Sequence, residues 1–246
     1  MLPNIGGPKP ARRKLLANVV TSVILYASPV WSHALAIKAV RRQLTSIYRL
    51  STLRIISGFR TISDDAACVI ASALPIDMLA DEISRIYGRR LSGRRSEIAK
   101  EERAISIARW QLRWSMATKG RWTYQLIPDV AAWYDRHHGA TNYYMTQFLS
   151  GHGCFRQYLH RFGHDSSPLC PNCENEVEDA NHVIFHCRRF RTHGAPIMDP
   201  RFVEPFMLQC EDNWTKLDSF ISVVLTELRT IERKRFAETR EVTRSN

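Results

Sequence analysis

Apolar residues recur along this chain at intervals of three and four rather than in alternation, the spacing that lines one face of a helix. Leu15, Leu16, Val19, Val23 and Ile24 make the first such stripe, just after Arg12, Arg13 and Lys14. Pro29 is expected to kink or end that helix, because it lacks an amide hydrogen and its ring clashes with the preceding turn. The pattern predicts a second helix over residues 37–57, with Val40, Leu44, Ile47 and Tyr48 inward and Gly58 as its stop. Ser63-Asp64-Asp65 reads as a helix start, the serine capping and the acids suiting the positive end of the dipole. Pro75 opens another helix, and shorter ones are expected over 129–136, 142–149 and 154–161. A final amphipathic helix over 213–236 places Trp214, Leu217, Phe220, Ile221, Val224, Leu225 and Leu228 on its apolar side, before ten polar, frayed residues. No internal repeat, low-complexity tract or long alternating strand pattern occurs. The expected fold class is mainly α: a helical bundle, a helical connector, a small metal-stapled knuckle and a C-terminal helix.

Composition narrows the class of partner. The 246 residues are 44% hydrophobic, enough for one or two domains with an apolar core. Lys and Arg outnumber Asp and Glu by 35 to 24, a formal charge of +11, which favours a polyanionic partner, usually nucleic acid. The longest apolar run, 19–31, is interrupted by Thr21, Ser22, Ser28 and Pro29 and is too short to span a bilayer, so no membrane partner is expected. The first eight residues are turn-forming rather than a charged head followed by an apolar run. Six cysteines in such a chain point to an intracellular, reducing compartment, where a Cys/His cluster is a metal site rather than a disulfide framework.

The strongest local signal is Cys170-Pro171-Asn172-Cys173, then eight residues, His182, four residues and Cys187. A C-x-x-C turn can set two sulfurs on one tetrahedral ion, and a His and a Cys five positions apart suit one helical turn carrying both ligands inward. Four Cys/His ligands fill the shell of one Zn2+ ion, leaving no position for water or substrate, so the expected ion is structural. The competing reading is four unrelated residues packed in a core. His186 lies beside Cys187 and is an alternative ligand, although a soft ion prefers thiolate. Cys68 and Cys210 sit in apolar helical patterns and read as buried thiols. His152 and Cys154 read as a turn leading into a helix with a packed thiol, with a phosphate contact as the alternative; His137-His138 reads as a solvated loop.

A long basic stretch runs from Arg85 through Arg89, Arg90, Arg94, Arg95, Lys100, Arg103, Arg109, Arg113 and Lys119 to Arg121, with Trp110, Trp114 and Trp122 in its second half. The arginines exceed what Glu97, Glu101 and Glu102 can pair at i,i+4 spacing. The candidate nucleic-acid contacts are Arg12, Arg13 and Lys14 near the start, Arg89, Arg90, Arg94 and Arg95 in the stretch, and Arg188, Arg189 and Arg191 just past the metal ligands. Trp110 and Trp114, four apart on one helix, are expected in the core. No catalytic centre emerges. The only adjacent aspartates, Asp64-Asp65, are explained by capping, and no Gly-rich phosphate loop or nucleophile elbow occurs.

Several segments together resemble one family. The run Leu2-Pro-Asn-Ile-Gly-Gly-Pro-Lys-Pro-Ala-Arg-Arg-Lys-Leu-Leu16 and the segment Ser22-Val-Ile-Leu-Tyr26-Ala-Ser-Pro29-Val-Trp31 are similar to the region after the polymerase palm in non-LTR retrotransposon reverse transcriptases. The similarity is to the type-1 ribosomal-DNA element lineage of arthropods. Arg60-Thr-Ile-Ser63 followed by Ala66, Leu74-Pro75-Ile76, Leu149-Ser-Gly-His152-Gly, Tyr158-Leu159 and the CCHC spacing extend the resemblance to about residue 195. It implies a thumb-like helical region over 1–80, a basic connector over 81–150, a CCHC zinc knuckle region over 151–200 and a C-terminal helix and tail over 201–246. It also implies template RNA and target DNA as partners in target-primed reverse transcription, hence a nuclear site of action, with the palm's catalytic acids matched by no position here. A zinc-stapled module that docks proteins through its 213–236 helix, or a relic of a mobile element without function, are the other readings.

Overall fold

The computed structural model describes residues 7–245, with side chains for 7–235. The segment Leu2–Gly6, part of the family resemblance, lies outside the described residues. The chain is mainly α and forms two units, Met1–Tyr143 and Tyr144–Asn246. The described residues include no strand, only an isolated antiparallel bridge between Leu169 and Val177.

The first unit holds α1 (Pro10–Ile24), α2 (Ser28–Trp31), α3 (Lys38–Ile55), α4 (Asp64–Ala71), α5 (Ile76–Gly88), α6 (Arg95–Met116), α7 (Arg121–Leu126) and α8 (Val130–Asp135). Two start signals act as expected: Ser63 Oγ accepts from the Ala66 amide, and Pro75 precedes α5. Asp129, expected within a helix over 129–136, instead caps α8 by accepting from the amides of Ala131 and Ala132. Pro29 does not break a helix already under way; it stands in the first turn of α2, where a missing amide hydrogen costs nothing. The left-handed residue after α3 is Ser57 (φ 56°) rather than Gly58. Gly58 is needed for space, since a Cβ there would lie 2.8 Å from Ile62 Cδ1.

Two helix faces differ from the expected ones. Leu15, Leu16, Val19 and Val23 of α1 are exposed, and Arg13 and Ala17 are buried instead. α1 packs on α3 through that narrow Arg13–Ala17 face. The Arg13 guanidinium reaches the carbonyl oxygens of Pro8 (2.8 Å) and of Arg54 (3.3 Å) in the last turn of α3, where a cation meets the negative end of the dipole. On α3, Tyr48 is buried and donates to the Leu74 carbonyl (3.1 Å), whereas Val40 and Ile47 face outward.

The core of this unit gathers Ile56, Ile62, Ile70, Ile76, Leu126 and Val130 around three buried tryptophans: Trp110, Trp114 and Trp133. Trp114 also donates its indole N–H to the Ile127 carbonyl (2.8 Å). α5 and α6 pack together and are laced by ion pairs. Arg85 and Arg89 both reach the buried Glu102 (2.5 and 2.8 Å), Arg103 reaches the buried Glu82 (2.8 Å), Arg85 and Arg109 share Asp81, and Arg113 grips Asp77 with both Nη atoms.

The second unit holds α9 (Tyr143–Ser150), α10 (Arg156–Arg161), α11 (Val203–Gln209) and α12 (Glu211–Ser245). α12 buries the seven apolar residues expected of it, packs against α11, and runs on as helix through Ser245 where a frayed tail was expected. Cys210, expected to be buried, is exposed in the break between α11 and α12. Residues 144–150, grouped with the connector by sequence, belong to this second unit.

Candidate metal centre and basic surfaces

The knuckle is shaped by short-range bonds. The Cys170 amide donates to the Glu176 carbonyl (2.8 Å), the Glu176 amide to the Cys173 carbonyl (3.3 Å) and the Glu178 amide to the Pro168 carbonyl (2.9 Å). Asn175 turns the chain between them in the left-handed region (φ 61°), which asparagine tolerates better than most residues. Then Asp179 accepts from the His182 amide (2.7 Å) and begins a turn of π-helix, His182–His186. The Cys187 amide closes it on the His182 carbonyl at 2.7 Å.

That wider turn matters for the ligands. In an α-helix, residues five apart point roughly 140° away from each other. A π turn closes five residues back and brings His182 and Cys187 toward one side. Single π turns of this kind recur at functional sites.

The result is a buried cluster. One ligand atom from each of Cys170, Cys173, His182 and Cys187 lies within 4.8 Å of the others. Cys187 Sγ is 3.8 Å from Cys170 Sγ and 4.0 Å from Cys173 Sγ. His182 Nε2 is buried with no hydrogen-bond partner. Burial pushes the Cys187 thiol up to about 12, with Cys170 and Cys173 adding to it, and burial lowers His182, which keeps its imidazole neutral. Thiols this close need a cation before they ionise together, and the lone pair of an orphaned neutral imidazole needs a hydrogen-bond donor or a Lewis acid. One metal ion answers both demands. His186, the alternative ligand, is exposed and outside the cluster.

Ion pairs buttress the same unit. Asp165, its side chain buried, is held by Arg156 (2.9 Å) and Arg235 (3.0 Å). Burial alone would raise its carboxyl, but the bonds from the two arginines hold it well below the usual carboxylate range. Arg189 reaches the buried Glu178 at 3.3 Å and lies over the Phe190 ring at 4.4 Å.

The candidate basic contacts fall into two groups. Arg12, Lys14, Arg90, Arg94, Arg95, Arg188 and Arg191 are exposed. Arg13 is buried, while Arg89 and Arg189 are engaged with Glu101 and Glu102 and with Glu178 respectively. Sequence reasoning missed Asp77, Asp81 and Glu82 as partners of the basic stretch, since they lie on the neighbouring helix rather than at i,i+4 spacing. Cys154 is half-buried and burial pushes its thiol up to about 11; the His152 ring contacts the Ser150 carbonyl at 2.6 Å. Cys68 is buried, as expected.

Fold and site together define a helical protein with a buried three-cysteine, one-histidine cluster that could hold one metal ion. The chain is related to the Pol polyproteins of type-1 retrotransposable elements, the lineage its motifs resemble. It is 29% identical over 196 residues to a 115 kDa protein in type-1 retrotransposable element R1DM of Drosophila melanogaster, covering 72% of this chain and 19% of that protein. It is 27% identical over 205 residues to a retrovirus-related Pol polyprotein from element R1 4 of Nasonia vitripennis, covering 77% and 52%. A Pol polyprotein from element R1 of Bradysia coprophila is 26% identical over 191 residues, covering 70% and 19%. The chain thus spans from about a fifth to about half the length of these relatives. It matches no family model and no solved structure.

Proposed function

We propose that this chain is a nucleic-acid-binding portion of a retrotransposon reverse transcriptase, acting on template RNA and target DNA in target-primed reverse transcription. In this reading the cluster holds one structural Zn2+ that shapes a knuckle, and the polymerase acids belong to another part of the parent protein. The observation that carries it is the cluster itself, in a basic chain whose relatives are Pol polyproteins. A tetrahedral zinc with Zn–S bonds of about 2.3 Å sets its sulfurs about 3.8 Å apart, and the separations of Cys187 Sγ from the other two sulfurs are 3.8 and 4.0 Å. With all four positions filled by protein, the ion orders the backbone from Cys170 to Cys187 and leaves no open site for hydrolysis. Arg188 and Arg191, exposed just beyond the last ligand, are the phosphate contacts of the knuckle.

The test has two arms. Purified protein should carry about one zinc per chain, and Cys173→Ser should lower that content. Single-stranded RNA or DNA should bind with an affinity that falls steeply with salt. Full metal occupancy in the variant sinks the ligand set, and salt-indifferent or absent binding sinks the nucleic-acid reading.

A second reading, a protein-docking module, draws on one observation. The apolar face of α12, the docking surface expected from sequence, is buried, but Leu15, Leu16, Val19 and Val23 of α1 stand exposed. Binding that ignores salt would favour it.

A further inference from the structure

The first unit contains a basic cleft that no sequence motif marks. It has a volume of about 640 Å³ and is lined by Lys38, Arg41, Arg42, Thr45 and Ser46 along one side of α3, with Arg49, Arg113, Asp64 and Asp77 completing it. Five cations therefore face two acids, and both acids are already taken. Arg49 Nε lies 2.6 Å from Asp64, and Arg113 holds Asp77 at 2.6 and 3.0 Å. Lys38, Arg41 and Arg42 form no ion pair among the described residues and are exposed.

The placement works against the stability of α3. Its first turn carries no acid, and its cations gather toward the end where the helix dipole favours anions. Three unneutralised cations so close together also repel one another. An anion in the cleft relieves both costs. The spacing along α3 suits an extended anion more than a single ion: residues 38, 41/42 and 45/46 succeed one another by one helical turn, about 5–6 Å of axis each. That rise is close to the separation of neighbouring phosphates along a strand, and the Thr45 and Ser46 hydroxyls add neutral donors at the far end. α1, by contrast, offers a weaker grip, because Arg13 is buried and its guanidinium is used on Pro8 and Arg54 carbonyls.

We infer that this α3 cleft, rather than the basic start of α1, binds the sugar–phosphate backbone of a nucleic-acid strand, with Lys38 and, one helical turn on, Arg41 and Arg42 neutralising its phosphates. The inference deepens the nucleic-acid reading above and rests on it.

The test is fluorescence anisotropy of the full chain with a labelled single-stranded oligonucleotide, over a salt series. The proteins compared are the unaltered chain, the triple variant Lys38→Gln/Arg41→Gln/Arg42→Gln, and Arg188→Gln/Arg191→Gln. Loss of three phosphate contacts should flatten the slope of log K against log salt by about 2 and weaken binding roughly 100-fold at 0.1 M salt. Arg41→Lys/Arg42→Lys, which keeps the charge, should bind within about threefold of the unaltered chain. Circular dichroism checks that the exposed substitutions leave the helices intact. If the unaltered chain binds but the triple variant binds equally well with the same slope, the cleft is not the site while the nucleic-acid reading stands. If the unaltered chain fails to bind, both fall. If polyglutamate of equal charge displaces the oligonucleotide as well as unlabelled oligonucleotide does, the cleft is a non-selective cation patch and the inference is overturned.

Discussion

Replacing Cys187 by serine tests the metal centre where the geometry is most explicit. Cys187 Sγ lies within 4.0 Å of both other sulfurs, and its amide closes the π turn on His182. A serine hydroxyl stays protonated near neutrality and is a harder donor than thiolate. Structural zinc in small modules binds with roughly 10–16 kcal/mol at pH 7. Spread over four ligands, the loss of one removes about 3 kcal/mol, a factor of roughly 10²–10³ in affinity. An ion present at about a thousand times its dissociation constant stabilises the folded state by about 4 kcal/mol, so the variant would keep only about 1 kcal/mol of that. For a unit of about 100 residues, each kcal/mol moves the midpoint by about 4–8 °C, giving a drop of roughly 12–24 °C. The assay is thermal unfolding with and without chelator, paired with metal content. Chelator should lower the midpoint of the unaltered protein by roughly 16–32 °C and that of the variant by only about 4–8 °C, which separates loss of metal from loss of packing. Cys210→Ser, at an exposed position, serves as the control with no expected change. A variant that retains one metal per chain and melts with the unaltered protein would refute the ligand assignment.

Two further outcomes are expected in the same unit. Asp165→Asn should cost about 3 kcal/mol at pH 7, because Arg156 and Arg235 lose their shared partner and breaking a buried pair costs more than the pair is worth. The folded-state carboxyl is held below its ordinary range, so its contribution is full above about pH 4 and drains away as pH falls through the folded value; the variant should lose that acid-side dependence, read by urea unfolding across pH. Asn175→Gly should be close to neutral because φ is 61° there, whereas Asn175→Val should destabilise by about 1–2 kcal/mol and lower metal retention; equal behaviour of the two would show that the turn does not set the cluster.

What the sequence revealed and what it hid follow one physical division. The ligands were legible because a C-x-x-C turn and a His–Cys pair are local features, set within 18 residues of chain. Their exact means of convergence was not, since nothing in the spacing of His182 and Cys187 distinguishes a π turn from an α turn. The cap at Ser63 was local as well, and the apolar side of α12 followed from a stripe long and regular enough to leave one choice of face. The stripe on α1 misled because hydrophobic spacing says which residues share a face, not whether a neighbour covers it; here α3 meets the Arg13–Ala17 face instead. Cys210 misled for a related reason: α11 stops just before it, and the break exposes the thiol.

The basic stretch shows the same division in charge. A net charge of +11 establishes that cations are in surplus but not which ones. Between α5 and α6, Arg85, Arg89, Arg103, Arg109 and Arg113 are matched to Asp77, Asp81, Glu82, Glu101 and Glu102, so this part of the stretch is largely neutralised within the fold. Pairs to a buried acid such as Glu102 or Glu82 cannot be given up to a phosphate without leaving that carboxylate uncompensated, which costs more than one solvent-exposed phosphate contact returns. The surplus therefore resides on residues the ladder does not use. Arg90, Arg94 and Arg95 sit around the α5–α6 connection, Arg188 and Arg191 beside the metal cluster, and Lys38, Arg41 and Arg42 along α3. Of these, the α3 set gathers three exposed cations into one cleft with hydroxyl donors and with its acids already satisfied, the condition under which exposed charge becomes a place to hold a strand rather than a means of staying soluble.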